Sequence, residues 1–164
     1  MSTIVDSVDA RLQTRECLVA EARSWIGTPY RLGGRVKGAG CDCATFLAEV
    51  LIACGLAERE ELGVYSHDWF HHSGEDRYKL RILRHAVKTM EAVAYRSLEV
   101  APGNLVLTSV AHSKVYNHAG VITAWPRLVH AIAPAVIETD ASRDPMWTLR
   151  HIVVFDPFAE KPGA

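Results

Sequence analysis

The apolar residues of this chain change their period once, near Pro102. Upstream they recur at steps of three and four, the spacing of one helix face; downstream they come in short runs bounded by turn residues. The upstream half predicts three helices. Ala10 to Ile26 carries a stripe of Leu12, Val19, Ala22 and Ile26 with Leu18 and Trp25 beside it, and has Asp9 as N-cap and Gly27 as stop signal. Cys43 to Cys54 carries Phe46, Leu47, Val50 and Leu51 and ends at Gly55. Glu75 to Met90 carries Leu80, Leu83, Val87 and Met90, with a basic stripe of Arg77, Arg81, Arg84 and Lys88 on another face. The downstream half predicts strands over Asn104–Val110, His118–Ala124, Arg127–Ala133, Ala135–Thr139 and Trp147–Phe155, with a tight reversal at Trp125-Pro126. Helices first and antiparallel strands second indicate an α+β domain. It is expected over residues 10–158, with 1–9 and 159–164 as tails and 63–94 as an elaboration between the two halves.

Composition removes several functions. Of the 164 residues 49% are apolar and the formal net charge is −1, which excludes a disordered chain and gives no global pull toward nucleic acid or anionic membrane. No stretch is apolar enough to insert in a bilayer as a helix. Met1 to Gln13 lacks the basic-then-apolar order of a secretion signal, so synthesis in the cytoplasm is expected. The 4 cysteines do not read as a disulfide framework, and Cys17 and Cys54 read as small buried apolar residues.

The chemistry concentrates at Gly38-Ala39-Gly40-Cys41-Asp42-Cys43. The glycines end abruptly where the central helix begins, placing Cys43 on its first turn. A thiol there meets the positive end of the helix dipole and unpaired backbone N–H groups, which favour the nucleophilic thiolate. Asp42 is a natural N-cap for the same helix. A cysteine nucleophile needs a base and a group that orients the base. His118 and His130 open or occupy successive strands across the Trp125-Pro126 reversal, and their parity is compatible with one shared face. The alternative is that both simply pack in the sheet.

Other clusters are weaker. Cys41-x-Cys43 lacks metal-ligand spacing and has no second paired motif, so no metal or cofactor is implied. His67-Asp68-Trp69-Phe70-His71-His72 puts two histidines four apart, and reads as a half-buried loop or helix start lining a groove rather than a metal site. The basic stripe reads as a solvated face or as a docking surface for an acidic polymer or another protein.

Gly27-Thr28-Pro29-Tyr30-Arg31-Leu32-Gly33-Gly34, then Asp42-Cys43, His118-Ala119-Gly120-Val121 and His130-Ala131 resemble the NlpC-type cell-wall cysteine peptidases, a papain-like group. The resemblance runs from about Glu16 to Phe158 and is nearest to the phage-encoded branch. It implies a papain-like fold, Cys43 as nucleophile, His118 as base and His130 as the polar third member. It further implies that Tyr30 lines the oxyanion hole with the Cys43 backbone N–H, and that Asp42 meets the free amine of a peptide stem. The implied substrate is an amide in the peptidoglycan stem, between D-glutamate and a diamino acid. The implied partners are phage tail proteins, and the implied place of action is the cell wall. Asp42-Cys43-Ala44-Thr45 departs from the family's Asp-Cys-Ser-Gly, which bears on substrate preference. Two other readings stay open: a phage tail or assembly protein with a papain-like shape and little activity, and an amidase or acyltransferase on another substrate.

Overall fold

The structure, a computed structural model, describes residues 14–61, 77–82, 84–93, 98–110 and 113–160. The fold is α+β. A first helix, α1 (residues 14–24), leads through a turn and a short ribbon of β1 (Arg35–Val36) and β2 (Gly40–Cys41) into α2 (Cys43–Ala53). A short α3 (Arg77–Ile82) follows, then β3 (Val87–Val93), β4 (Leu105–Thr108), β5 (His118–Ala124), β6 (Arg127–Ile132) and β7 (Ala135–Asp140). A 3-10 turn (Ala141–Arg143) and α4 (Pro145–Thr148) precede β8 (Ile152–Asp156). The main sheet has six antiparallel strands in the order β3-β8-β4-β5-β6-β7.

The sheet separates two cores. Leu105 and Leu107 of β4, Ala119 and Val121 of β5, and Val129 and Ala131 of β6 meet Phe46, Leu47 and Val50 of α2 and Leu18 and Ala22 of α1. The alternate positions Val106, Ile122, Leu128, Ile152 and Val154 close instead on Trp147 and Ala141. This is the period-2 consequence of a sheet covered on both faces. Trp25 meets Phe46 edge-on at 6.0 Å, locking α1 to α2. Arg15 ties the start of α1 to the end of β8 through both oxygens of Asp156, at 2.9 and 2.7 Å.

The helix phase on α1 differs from expectation. Leu18, Ala22 and Trp25 are buried, whereas Ile26 is 46% exposed because the helix has already turned at residues 25–27. Cys17 is exposed rather than buried, with its sulfur 3.5 Å from that of Cys54. The helix expected over Glu75–Met90 breaks after Ile82, and Val87–Val93 is an edge strand pairing with β8. Val87, Thr89 and Val93 are β-branched, and the free edge of β8 lets that preference win over the helical spacing. Lys88 therefore leaves the basic stripe, and Arg81 and Arg84 lie against Glu60. β3 is part of the main sheet although it falls inside the segment expected as an elaboration. Trp147 sits on α4 rather than on a strand, because Asp144 caps the Met146 N–H and Pro145 takes the first helical position. The cluster from His67 to His72 lies outside the described residues.

Candidate active site

The sulfur end of the site is built by local geometry. Asp42 adopts an extended backbone, and its Oδ1 accepts from the N–H groups of Ala44 (3.0 Å) and Thr45 (2.9 Å). Thr45 Oγ1 accepts from the Asp42 N–H at 2.8 Å, completing a reciprocal cap. Asp42 Oδ2 accepts from the Gly33 N–H at 2.7 Å and anchors the preceding loop. Gly34 and Gly40 make that loop possible. A Cβ at Gly34 would lie 2.6 Å from the Gly40 oxygen, and one at Gly40 would lie 2.5 Å from the Arg31 side chain. Asp42 is 1% exposed, and both its oxygens are committed to backbone donors. The N-cap expected of Asp42 is formed, and its carboxylate is buried next to Cys43 in sequence.

Cys43 is half-buried on the first turn of α2, with Sγ 3.6 Å from the carbonyl oxygen of Asn117. Asn117 directly precedes His118, so the thiol meets the sheet at the start of β5. Cys41 is fully buried on β2 and its thiol is pushed up to about 12, by burial first and the Asp42 charge second. One residue, Asp42, separates an interior thiol from one at a helix terminus.

Tyr30 bridges to Cys41, and its N–H donates to the Pro134 oxygen at 2.8 Å. Burial raises its phenol above the ordinary range, and the charges of Cys43, Asp42 and Cys41 add to this. The phenol therefore stays protonated near pH 7.

The imidazole end is built by register. Val121 pairs with Val129 and Ile122 with Leu128, which puts His118 and His130 on the same sheet face as Ile122 and Leu128. His118 Nε2 and His130 Nδ1 are 2.8 Å apart, and both residues are buried, at 5% and 0% exposure. Gly120 lies between them on that face, and a Cβ there would come 2.6 Å from Leu128 and 3.4 Å from His130. Trp147 closes the other side, its ring 5.7 Å from each imidazole. Burial, then the neighbouring His130, holds His118 down to about 3; burial holds His130 down to about 4, with the Asp144 charge pulling the other way. Both rings are therefore neutral near pH 7.

The tautomers follow from this pairing. His118 Nε2 is taken up by His130, which leaves Nδ1 for a reacting group. For Nδ1 to accept a proton, Nε2 must carry one and donate to His130 Nδ1. His130 then carries its own proton on Nε2, a buried atom with no hydrogen-bond partner among the described residues. Trp147 and Asp144 were not singled out in the sequence; the signal for them was the Asp-Pro start of a short helix within an apparent strand.

The structure thus places Cys43, Tyr30 and Asp42 on the α2 side of the sheet and His118 with His130 on the Trp147 side, with the Asn117 carbonyl, one residue before His118, touching the Cys43 sulfur. Among the described residues no group of three or more His, Cys, Asp or Glu side chains is placed to hold a metal.

No family model matches the chain, and no curated protein matches it in sequence. Solved structures do. The NlpC/p60 domain of the peptidoglycan hydrolase SagA superposes with a TM-score of 0.53 at 20% identity, covering 85% of this chain and 97% of that one. A protein similar to a lipoprotein of the NLP/P60 family, from Staphylococcus aureus subsp. aureus Mu50, gives a TM-score of 0.56 at 16% identity, over 90% of this chain and 42% of that one. NlpC1 from Trichomonas vaginalis gives 0.57 at 14% identity, over 90% of this chain and 45% of that one. The chain therefore spans under half of the latter two and nearly all of the first. At these identities the likeness is one of fold: an NlpC/P60-type, papain-like arrangement of helices on an antiparallel sheet.

Proposed function

We propose that this protein is a cysteine peptidase that hydrolyses an amide in bacterial peptidoglycan stem peptides, at the bond between D-glutamate and the following diamino acid. The observation that carries this reading is the Cys43 thiol on a capped helix terminus at the start of β5, where the buried His118–His130 pair begins.

In this mechanism Cys43 Sγ attacks the carbonyl carbon while its proton passes to His118 Nδ1. His130 accepts from His118 Nε2–H and steadies the imidazolium that forms, with the Asp144 charge behind it. The Tyr30 hydroxyl and the Cys43 N–H meet the negative charge as it develops on the carbonyl oxygen. His118 then protonates the leaving amine, and water hydrolyses the thioester by the same route in reverse. Two neutral imidazoles mean that the proton moves during attack, rather than resting beforehand in a thiolate–imidazolium pair.

The test is incubation of purified cell wall with the wild type and with Cys43→Ala, scored by new free amino groups and soluble stem fragments. Release is expected from the wild type alone, and equal release by both removes Cys43 from the chemistry. The phage-tail setting is a separate part of the proposal. It is checked by whether the protein sediments with purified tail particles.

A further inference from the structure

A cavity of about 330 Å³ opens beside the candidate site, between the β4–β5 connection and the approach to β8. Its wall includes Ser109, Lys114, Val115, Tyr116, Arg150 and His151. Lys114 and Arg150 are basic, His151 adds an imidazole, and none of the lining residues is acidic. Cations elsewhere close on acids, as Arg15 does on Asp156 and Arg35 on Glu49. The side chains of Lys114, Arg150 and His151 have no ion pair or hydrogen bond among the described residues.

The cavity is fixed to the site by backbone. Thr108 pairs with His118 across β4 and β5, and Ser109, the next residue, lines the cavity. The Thr108 hydroxyl donates to the His151 oxygen at 3.3 Å. Asn117 closes the loop's base: its Oδ1 accepts from the Val110 N–H at 2.7 Å and its Nδ2 donates to the Val110 oxygen at 3.2 Å. The carbonyl of the same Asn117 faces the Cys43 sulfur. The β4–β5 connection thus lines the cavity at Ser109 and at Lys114, Val115 and Tyr116, and touches the Cys43 sulfur at Asn117.

We infer that this cavity is an anion subsite that takes a carboxylate of the amine-side fragment, the one that leaves when the amide breaks. The assignment rests on the peptidase reading, in which the leaving amine takes its proton from His118 and so must lie on the His118 side. A fragment placed there runs toward Ser109 and the unpaired cations. Lys114 and Arg150 neutralise its carboxylate, and the Ser109 hydroxyl supplies a neutral donor.

The experiment titrates the dipeptide L-Lys-D-Ala, and separately its C-terminal carboxamide, into the full-length protein and follows both by heteronuclear NMR. The acid is expected to bind about 5-fold more tightly than the amide, the order of two exposed charge contacts, and less so as salt rises. Lys114→Gln/Arg150→Gln is expected to erase that preference while leaving the thermal midpoint unchanged. Equal binding of acid and amide, a preference that survives the double variant, or no binding of either overturns the assignment. The two readings fail separately. Cysteine-dependent wall cleavage without a carboxylate preference sinks the subsite alone. A carboxylate preference with no Cys43-dependent cleavage keeps the anion site and sinks the peptidase.

Discussion

The two ends of the candidate site are held by different physics. At the amino end of α2 the cap beneath Cys43 is local: Asp42, Thr45 and Gly33 lie close in sequence and act through backbone hydrogen bonds. At the imidazole end nothing is local. His118 and His130 meet only through the β5–β6 register, and Trp147 reaches them from a later helix on the far face of the sheet. The sulfur end is half-open and keeps a nucleophile accessible, while the imidazole end is dry and keeps both rings neutral. Separating the two lets one end meet substrate while the other holds a tautomer away from water.

The sharpest break of this comparison is His118→Ala. If the buried pair serves the exposed thiol, turnover on wall substrate falls by about 10²–10⁴-fold, the range for a general base. Alkylation of Cys43 by iodoacetamide should slow as well, because the base that takes its proton is gone. Unchanged turnover would mean that the two ends are neighbours without being partners. His130→Ala should show a smaller loss, since it acts through His118.

Next in size is the dependence of stability on pH. An unfolded histidine titrates near 6.5, whereas burial holds the folded His118 and His130 down to about 3 and about 4. Between those values the unfolded chain binds more protons. The contribution is therefore complete above the unfolded value and is lost as pH falls toward the folded ones. Between pH 7 and 5 each ring should cost about 2 kcal/mol of stability. Denaturant titrations at stepped pH measure it, and His118→Gln/His130→Gln should flatten the slope. A flat wild-type profile would place the rings in water, against the burial that sets the imidazole end apart.

The same division explains what the sequence made legible. The central helix, its cap and the position of Cys43 follow from glycine, aspartate and apolar spacing within one short stretch, and the structure forms α2 over Cys43–Ala53. The β5 boundaries, His118–Ala124, were readable because turn residues flank an uninterrupted apolar run. Val87–Val93 was not, since its residues satisfy a helical period and only the unpaired edge of β8 decides for a strand. Trp147 was read as a strand residue because its apolar neighbours continue into Ile152, and the cap at Asp144 acts over two residues only. Pairing of the two imidazoles needed the register, which no local signal sets.

Register itself can be broken at Gly120. A methyl there would sit 2.6 Å from Leu128 and 3.2 Å from the Val129 oxygen. Gly120→Ala should cost about 1–3 kcal/mol, the usual range for overpacking a filled core. It should also disturb turnover more than stability alone explains, because Val129, whose oxygen the methyl crowds, directly precedes His130. A variant as stable and active as the wild type would show that the sheet face around the rings is loosely packed.

The smallest effect tests the sulfur end by itself. Thr45 is 1% exposed and its hydroxyl accepts from the Asp42 N–H. Thr45→Val keeps the shape and removes the acceptor, which leaves a buried N–H unpaired and should cost about 1–2 kcal/mol. Thr45→Ser should recover most of it. The imidazoles are untouched, so the loss should be the same at pH 7 and pH 5, in contrast to the histidine variants. A loss that grew as pH fell would mean that the cap and the imidazoles are energetically coupled through Cys43 and Asn117, and that the two ends are one unit rather than two.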